Sequence, residues 1–166
     1  VENGSIIVTV KTPSPNCTGY QYEIAGQSIP SAETSYSKTI QSPGKYAVRV
    51  KALGGAFDAS GVYYIDSQYA GGSASDTITI LAAPSESSFV ITADGALKWD
   101  KIDYAKGYEY YIAFDGADYG ELKQADYNSF SINNYKQYNS ISVKIRARGD
   151  GNKVIASAWA EWNWTK

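Results

Sequence analysis

Gly107-Tyr108-Glu109-Tyr110-Tyr111-Ile112-Ala113 nearly repeats Gly19-Tyr20-Gln21-Tyr22-Glu23-Ile24-Ala25. Inside each copy an aromatic or aliphatic residue recurs at every second position, the period of a strand with one buried face. Two further blocks follow in the same order. Val48-Arg49-Val50-Lys51-Ala52-Leu53-Gly54 returns as Val143-Lys144-Ile145-Arg146-Ala147-Arg148-Gly149, and Ser67-Gln68-Tyr69-Ala70 returns as Ser157-Ala158-Trp159-Ala160. Three blocks in constant order mean two copies of one folding unit, each of about 80 residues, small but able to bury its own core.

Working outward, the rest of the chain keeps to period two. Ile6/Val8/Val10 and Ile78/Ile80 alternate in the first copy; Phe89/Ile91, Leu97/Trp99 and Phe130/Ile132 alternate in the second. Turn chemistry separates the runs: Pro13-Ser14-Pro15-Asn16, Ser42-Pro43-Gly44, Asp94-Gly95, Asp115-Gly116 and Gly149-Asp150-Gly151-Asn152. Short strands with such punctuation predict an all-β chain of two tandem antiparallel β-sandwiches. The boundary is expected in Leu81-Ala82-Ala83-Pro84-Ser85-Glu86-Ser87-Ser88, giving domains 1–82 and 83–166 joined by a short linker stiffened by Pro84. Connections differ in length between the copies while the strand blocks persist, as loops do on a constant framework.

Composition narrows the function. The net charge is −2 and charged residues are 19% of the chain, which offers no basic surface to a phosphate backbone and disfavours nucleic acid as a partner. No run of about 18 apolar residues is present, so no membrane insertion by a helix is expected. Histidine is absent, removing the commonest general base and zinc ligand, and Cys17 is the single cysteine. Carboxylates such as Asp58, Asp66, Asp100, Asp103, Asp115 and Asp118 read as loop and strand-edge acids rather than a hydrolytic pair. Asp115-Gly116-Ala117-Asp118 and Asp150-Gly151-Asn152 carry hard oxygen ligands, but Asp-Gly is first a turn dipeptide. No catalytic residue, cofactor or metal is therefore expected, and the chain reads as non-enzymatic.

The blocks resemble the fibronectin type III domain, as found in bacterial secreted and cell-surface multimodular proteins. Leu97-Lys98-Trp99 is similar to the family's strand-B motif, Ala105 with Gly107-Tyr108 to the start of strand C, and Val143 to Ala147 to strand F. Ser157-Ala158-Trp159-Ala160 resembles the opening of strand G, and Tyr46 sits where the family places its tyrosine corner. The first copy departs at Ile6-Ile7-Val8-Thr9-Val10, which lacks the strand-B Trp and leaves little chain before it for a strand A; that strand is expected to be missing or altered. The second copy has Ile141 at the corner position, so a corner hydrogen bond there either comes from Tyr138 or is absent. The resemblance implies an immunoglobulin-like sandwich and an extracellular or cell-surface setting; its motifs are packing motifs and carry no activity.

Candidate binding residues lie on the face those motifs leave outside. Inward Tyr108, Tyr110 and Ile112 put Glu109 and Tyr111 outside, and inward Val143, Ile145 and Ala147 put Lys144 and Arg146 outside. Strand parity sends Trp162 and Trp164 to one face and Trp159 to the other. Tyr111, Trp159, Trp162 and Trp164, with Glu109, Lys144 and Arg146, form the candidate glycan site, because sugar rings stack on aromatics while hydroxyls seek charges. The blander reading, that cationic stems cover these rings or that the face docks on a neighbouring domain, is the stronger of the two. The expected function is a spacer or interaction unit beside other domains of a larger secreted or surface protein. Carbohydrate binding through the aromatic face is the alternative, with a polysaccharide as partner. A third reading is adhesion to a host or cell-surface protein by strand addition at the exposed edge of the first copy.

Overall fold

Residues 5–73 and 76–166 are described by the computed structural model. The first copy contributes β1 (Ser5–Thr9), β2 (Gly19–Ile24), β3 (Gln27–Ser31), β4 (Ser35–Thr39), β5 (Gly44–Leu53), β6 (Ala70–Gly71) and β7 (Thr77–Ile80). The second contributes β8 (Val90–Ile91), β9 (Ala96–Lys98), β10 (Tyr108–Phe114), β11 (Lys123–Ala125), β12 (Ser129–Ser131), β13 (Ser140–Ala147), β14 (Val154–Ile155) and β15 (Ala160–Thr165). The strands are joined by turns and short 3-10 segments such as Glu86–Ser88 and Tyr135–Gln137.

By compactness the chain divides into Ser5–Ile40 with Lys45–Thr79, and Ile80–Lys166 with Gln41–Gly44. The division between Thr79 and Ile80 precedes the expected one at 82/83. Leu81 is the reason: it is buried in the second core, and its N–H donates to Ile155 O at 3.1 Å.

In the second unit one sheet has the order β11-β10-β13-β15 and the other β12-β9-β8. Both are antiparallel, and the layout is the fibronectin type III/immunoglobulin-like one. The register between β10 and β13 sets the core. Tyr108, Tyr110, Ile112 and Phe114 sit opposite Ala147, Ile145, Val143 and Ile141, all on the inner side. Four of these, Ile141, Val143, Ile145 and Ala147, have no accessible surface. From the facing sheet Leu97 and Trp99 close over them; Phe130 stacks on Tyr110 at 3.9 Å, and Trp99 meets Tyr108 edge-on at 4.9 Å. Such ring pairs each add about 0.5–1.5 kcal/mol beyond their buried area. Tyr138, expected near the corner, stacks its ring on Phe114 at 4.1 Å.

The first unit keeps the same inner register. Tyr20, Tyr22 and Ile24 of β2 face Ala52, Val50 and Val48 of β5. β2 turns into β3 through Ala25 and Gly26, both at positive φ, the primed two-residue turn that matches strand twist. Its facing sheet is thinner: β1 pairs with β4 over five residues, and among the described residues has no third strand. Val48, Val50 and Ala52 are only half-buried, where their counterparts in β13 are sealed.

That difference is measurable. Ile145→Ala should destabilise the second unit by about 2–5 kcal/mol, because the removed atoms leave a closed cavity. Val50→Ala, at the matching position, should cost the first unit less than about 2 kcal/mol, since its side chain already meets water. Urea unfolding of the two variants, followed by assigned amide signals in each unit, checks the order; equal losses would contradict it.

Candidate functional site

The outer face of β10, β13 and β15 brings together five of the seven residues expected there. Glu109 lies opposite Arg146, Tyr111 opposite Lys144, and Lys144 opposite Glu161. The Arg146 guanidinium donates to Glu109 Oε2 at 2.8 Å through both Nε and a terminal nitrogen, and Lys144 Nζ lies 3.5 Å from Glu161 Oε1. The same guanidinium sits 4.6 Å from the ring centre of Trp159. Tyr111 approaches Trp159 at 5.4 Å with the planes tilted by 43°, and Tyr119 reaches Tyr111 at 6.3 Å with a tilt of 60°. The rings form a tilted cluster rather than a flat platform.

Trp162 and Trp164 are not part of that face. They alternate with Glu161, Asn163 and Thr165 along β15 and point inward: Trp162 packs 5.8 Å from Phe89, and Trp164 meets Tyr135 edge-on at 5.9 Å. The period-two geometry of the strand requires this, so grouping all three tryptophans in one site is corrected. Tyr119, in the loop after β10, was not legible as a member, because loop residues carry no strand parity.

The first unit holds a matching arrangement. Arg49 donates to Glu23 Oε2 at 2.8 Å and lies 4.3 Å from the centre of the Tyr69 ring, with Lys51 Nζ at 5.5 Å from it. Tyr69 and Trp159 occupy the same place in the repeated Ser-x-aromatic-Ala block. The partners have moved along the ladder: the ion pair is Glu23–Arg49 in one unit, at the positions of Tyr111 and Lys144 in the other. A cation under an aromatic ring beside a carboxylate is thus built twice. Hydrogen bonding from Lys51 holds the Asp66 carboxyl below its usual range, and the reciprocal bond raises Lys51.

The shared serine explains the rest of that block. Ser157 Oγ accepts the Ala147 N–H at 2.9 Å and its hydroxyl donates to Ala158 O at 2.7 Å, while Ser157 N–H donates to Ala147 O at 3.0 Å. Ser67 makes the same three bonds, with Ala52 and Gln68. Each hydroxyl completes a ladder where the last strand bends away, and delivers the next aromatic to the outer face.

Loop carboxylates are engaged by backbone N–H groups. Asp150 Oδ1 accepts the N–H groups of Asn152 and Val154 at 2.8 Å each, and Asp115 Oδ1 those of Asn139 and Ser140 at 2.6 and 3.0 Å. Asp58 does likewise in the first unit, accepting from the Ser60 hydroxyl and the Ser60 and Val62 N–H groups at 2.7–3.0 Å. Those bonds, the Ser60 hydroxyl first, hold its carboxyl at about 2. Among the described residues no group of three or more Cys, Asp or Glu gathers as a metal site. The Asp58 turn caps a hairpin with exposed apolar residues: Phe57 and Tyr63 pair at 4.8 Å, and Ile65 is 81% exposed. At its base Gly54 passes so close to Tyr64 O that a Cβ would lie 2.2 Å from it; Gly149 makes the same approach to Val154 O. No side chain larger than hydrogen fits there.

No protein-family model matches the sequence, and no curated protein matches it. Among solved structures the chain is similar to the FN1–FN3 domains of chicken CNTN1, at 14% identity and a TM-score of 0.36, over 99% of this chain and 64% of that one. The fold assignment stands on the sheet order and register described above.

Two outcomes follow from the shared devices. Ser157→Ala strands a buried N–H and should cost about 1–3 kcal/mol, read by thermal or urea unfolding; no loss would show the hydroxyl to be idle. The Asp58 turn should survive strong acid. A carboxyl depressed in the folded state adds stability that is complete above its unfolded range near 4 and is lost as pH falls through about 2. The amide shifts of Ser60 and Val62 should hold until that pH, and a midpoint near 4 would contradict the geometry.

Proposed function

We propose that the chain is a non-catalytic module of a larger extracellular or cell-surface protein, serving as a spacer or interaction unit. One observation carries this reading: both outer faces are spent on internal bonding. The Glu109–Arg146–Trp159 and Glu23–Arg49–Tyr69 groups pair across strands, and the loop acids bind backbone N–H groups, Asp58 and Asp150 within their own turns and Asp115 at Asn139 and Ser140. A module of this kind gains stiffness from such ladders rather than a reactive pocket.

Carbohydrate binding is the second reading, favoured by the cluster of Tyr111, Tyr119 and Trp159 on one face, with Lys144 and Glu161 beside it. Its ligand would be a polysaccharide whose rings stack in the gaps of the tilted cluster.

One pair of measurements separates them. Native gels cast with soluble starch, xylan, β-glucan or glycosaminoglycan, run with wild type, Trp159→Ala and Trp162→Ala, read binding; urea unfolding of the same proteins reads stability. The spacer reading expects no retardation, and a loss of about 0.5–2 kcal/mol for Trp159→Ala from the lost cation–π and ring contacts. Retardation of wild type that Trp159→Ala abolishes would overturn it in favour of the glycan reading.

A further inference from the structure

Twice on its strands the chain sets a cation between a carboxylate and an aromatic ring. The hairpin of residues 54–66, between β5 and β6, presents the same device with one member missing. Phe57 and Tyr63 face each other across it with ring centres 4.8 Å apart, 69% and 53% exposed. The Asp58 carboxylate stands at the turn beside them, accepting Val62 N–H at 3.0 Å. Between Lys51 and Lys98 the chain contains no lysine or arginine, and Lys51 is itself bound to Asp66 Oδ2 at 2.6 Å. Val1-Glu2-Asn3-Gly4 carries no cationic side chain either. Hydrogen bonds hold the Asp58 carboxyl at about 2, and among the described residues no cation contributes. Carboxylate and rings are in place; the cation is not.

The hairpin is bonded to keep that surface presented. Gly55 N–H donates to Tyr64 O at 2.8 Å, and Tyr64 N–H to Ala56 O and Asp58 N–H to Val62 O, each at 3.0 Å. The Tyr64 hydroxyl donates to Asp58 Oδ2 at 3.0 Å, and at the base Asp66 Oδ1 accepts the Gly54 N–H at 3.0 Å. A loop already fixed in this way has little conformational entropy left to lose on docking. The sister hairpin lacks the feature: 14 positions separate Val143 from Ser157 where 19 separate Val48 from Ser67, and residues 149–156 contain no aromatic. Beside the hairpin, Pro15, Cys17, Leu53, Tyr64 and Ile65 line a cavity of about 120 Å³, room for one aliphatic side chain.

The missing cation decides the occupant. A second copy laid hairpin to hairpin would bring Asp58 against Asp58, like charges with no counter-ion. A lipid surface would have to take in an ionised carboxylate with Ser60 and Gly61 at the leading turn, and no basic residue of the hairpin meets its headgroups. A guanidinium fits both groups, because its plane stacks on a ring while its N–H fork meets a carboxylate. The chain uses that solution itself, at Arg146 with Glu109 and Trp159 and at Arg49 with Glu23 and Tyr69. We propose that the hairpin of residues 54–66 docks an arginine of a partner protein. The guanidinium lies on the Phe57–Tyr63 rings and against Asp58, and an aliphatic neighbour of the arginine enters the cavity beside Ile65. Resting on the reading of the chain as an interaction module, this names the surface and the chemistry of its partner.

The test uses the whole chain and a capped peptide, Gly-Leu-Arg-Leu-Gly, followed by backbone and aromatic NMR shifts. Saturable shifts confined to residues 54–66 and the cavity lining are expected, with a Kd of about 1 mM or tighter. Citrulline in place of the arginine keeps the shape and loses the charge, and should weaken binding on the order of tenfold. Phe57→Leu, which keeps the bulk and loses the ring, should weaken it severalfold, with the amide shifts of β2 and β5 unchanged to show that the unit is folded. No saturable shift up to about 10 mM peptide, equal binding of the citrulline peptide, or shifts centred on Trp159 each overturn the proposal. Sedimentation of the chain alone and with phosphatidylcholine vesicles reads the other occupants. Dimerisation or vesicle binding that Phe57→Ser abolishes also overturns it, in favour of a second copy or a lipid surface. Failure here leaves the interaction-module reading intact, because gel retardation and the stability of Trp159→Ala do not involve the hairpin.

Discussion

Everything in the second unit depends on the register between β10 and β13. Seven consecutive pairs fix which side chains face inward, and a one-residue slip of β10 against β13 would drive Glu109 and Tyr111 into the core and expose Tyr108, Tyr110 and Ile112. Burying a carboxylate and a phenol without new partners has no compensation, so the alternation is enforced by desolvation rather than by propensity. The sealed residues of β13 record how tightly that choice is held. Once it is made, the outer ladder follows: Glu109 must meet Arg146, and Trp159 must lie over the guanidinium.

The strands were legible in the sequence because period two survives in both copies. Parity alone placed Trp159 opposite Trp162 and Trp164, and the structure keeps that division; treating the three as one site ignored it. Tyr119 was not legible, since its position depends on the path of the loop between β10 and β11. Nor was the Ser67/Ser157 hydroxyl bond, although the repetition of Ser before an aromatic was visible. Its role is a ladder bond at a bend, and bends leave no period. The boundary shifted for a similar reason: Ala82, Ala83 and Pro84 read as linker, whereas burial of Leu81 and its bond to Ile155 extend the second unit backward.

The contrast between the two units was visible in part. Ile6-Ile7-Val8-Thr9-Val10 lacks the Trp that follows Leu97-Lys98 in the second copy, which predicts different packing there. It does not predict that Val48, Val50 and Ala52 stay half-buried where Val143, Ile145 and Ala147 are sealed, because burial depends on the sheet packed opposite and not on the strand's own period.

The displaced ion pairs have a consequence for how the chain folds. Because Glu23–Arg49 and Glu109–Arg146 sit one rung apart on matching ladders, exchanging strands between copies would still bring opposite charges together. β2 against β13 would set Glu23 beside Lys144, and β10 against β5 would set Glu109 beside Lys51, so charge alone does not tell self from sister. Duplicated domains misassemble through such interchangeable pairing. Fidelity during folding falls instead to geometry, in the unequal loops that join the matching strands.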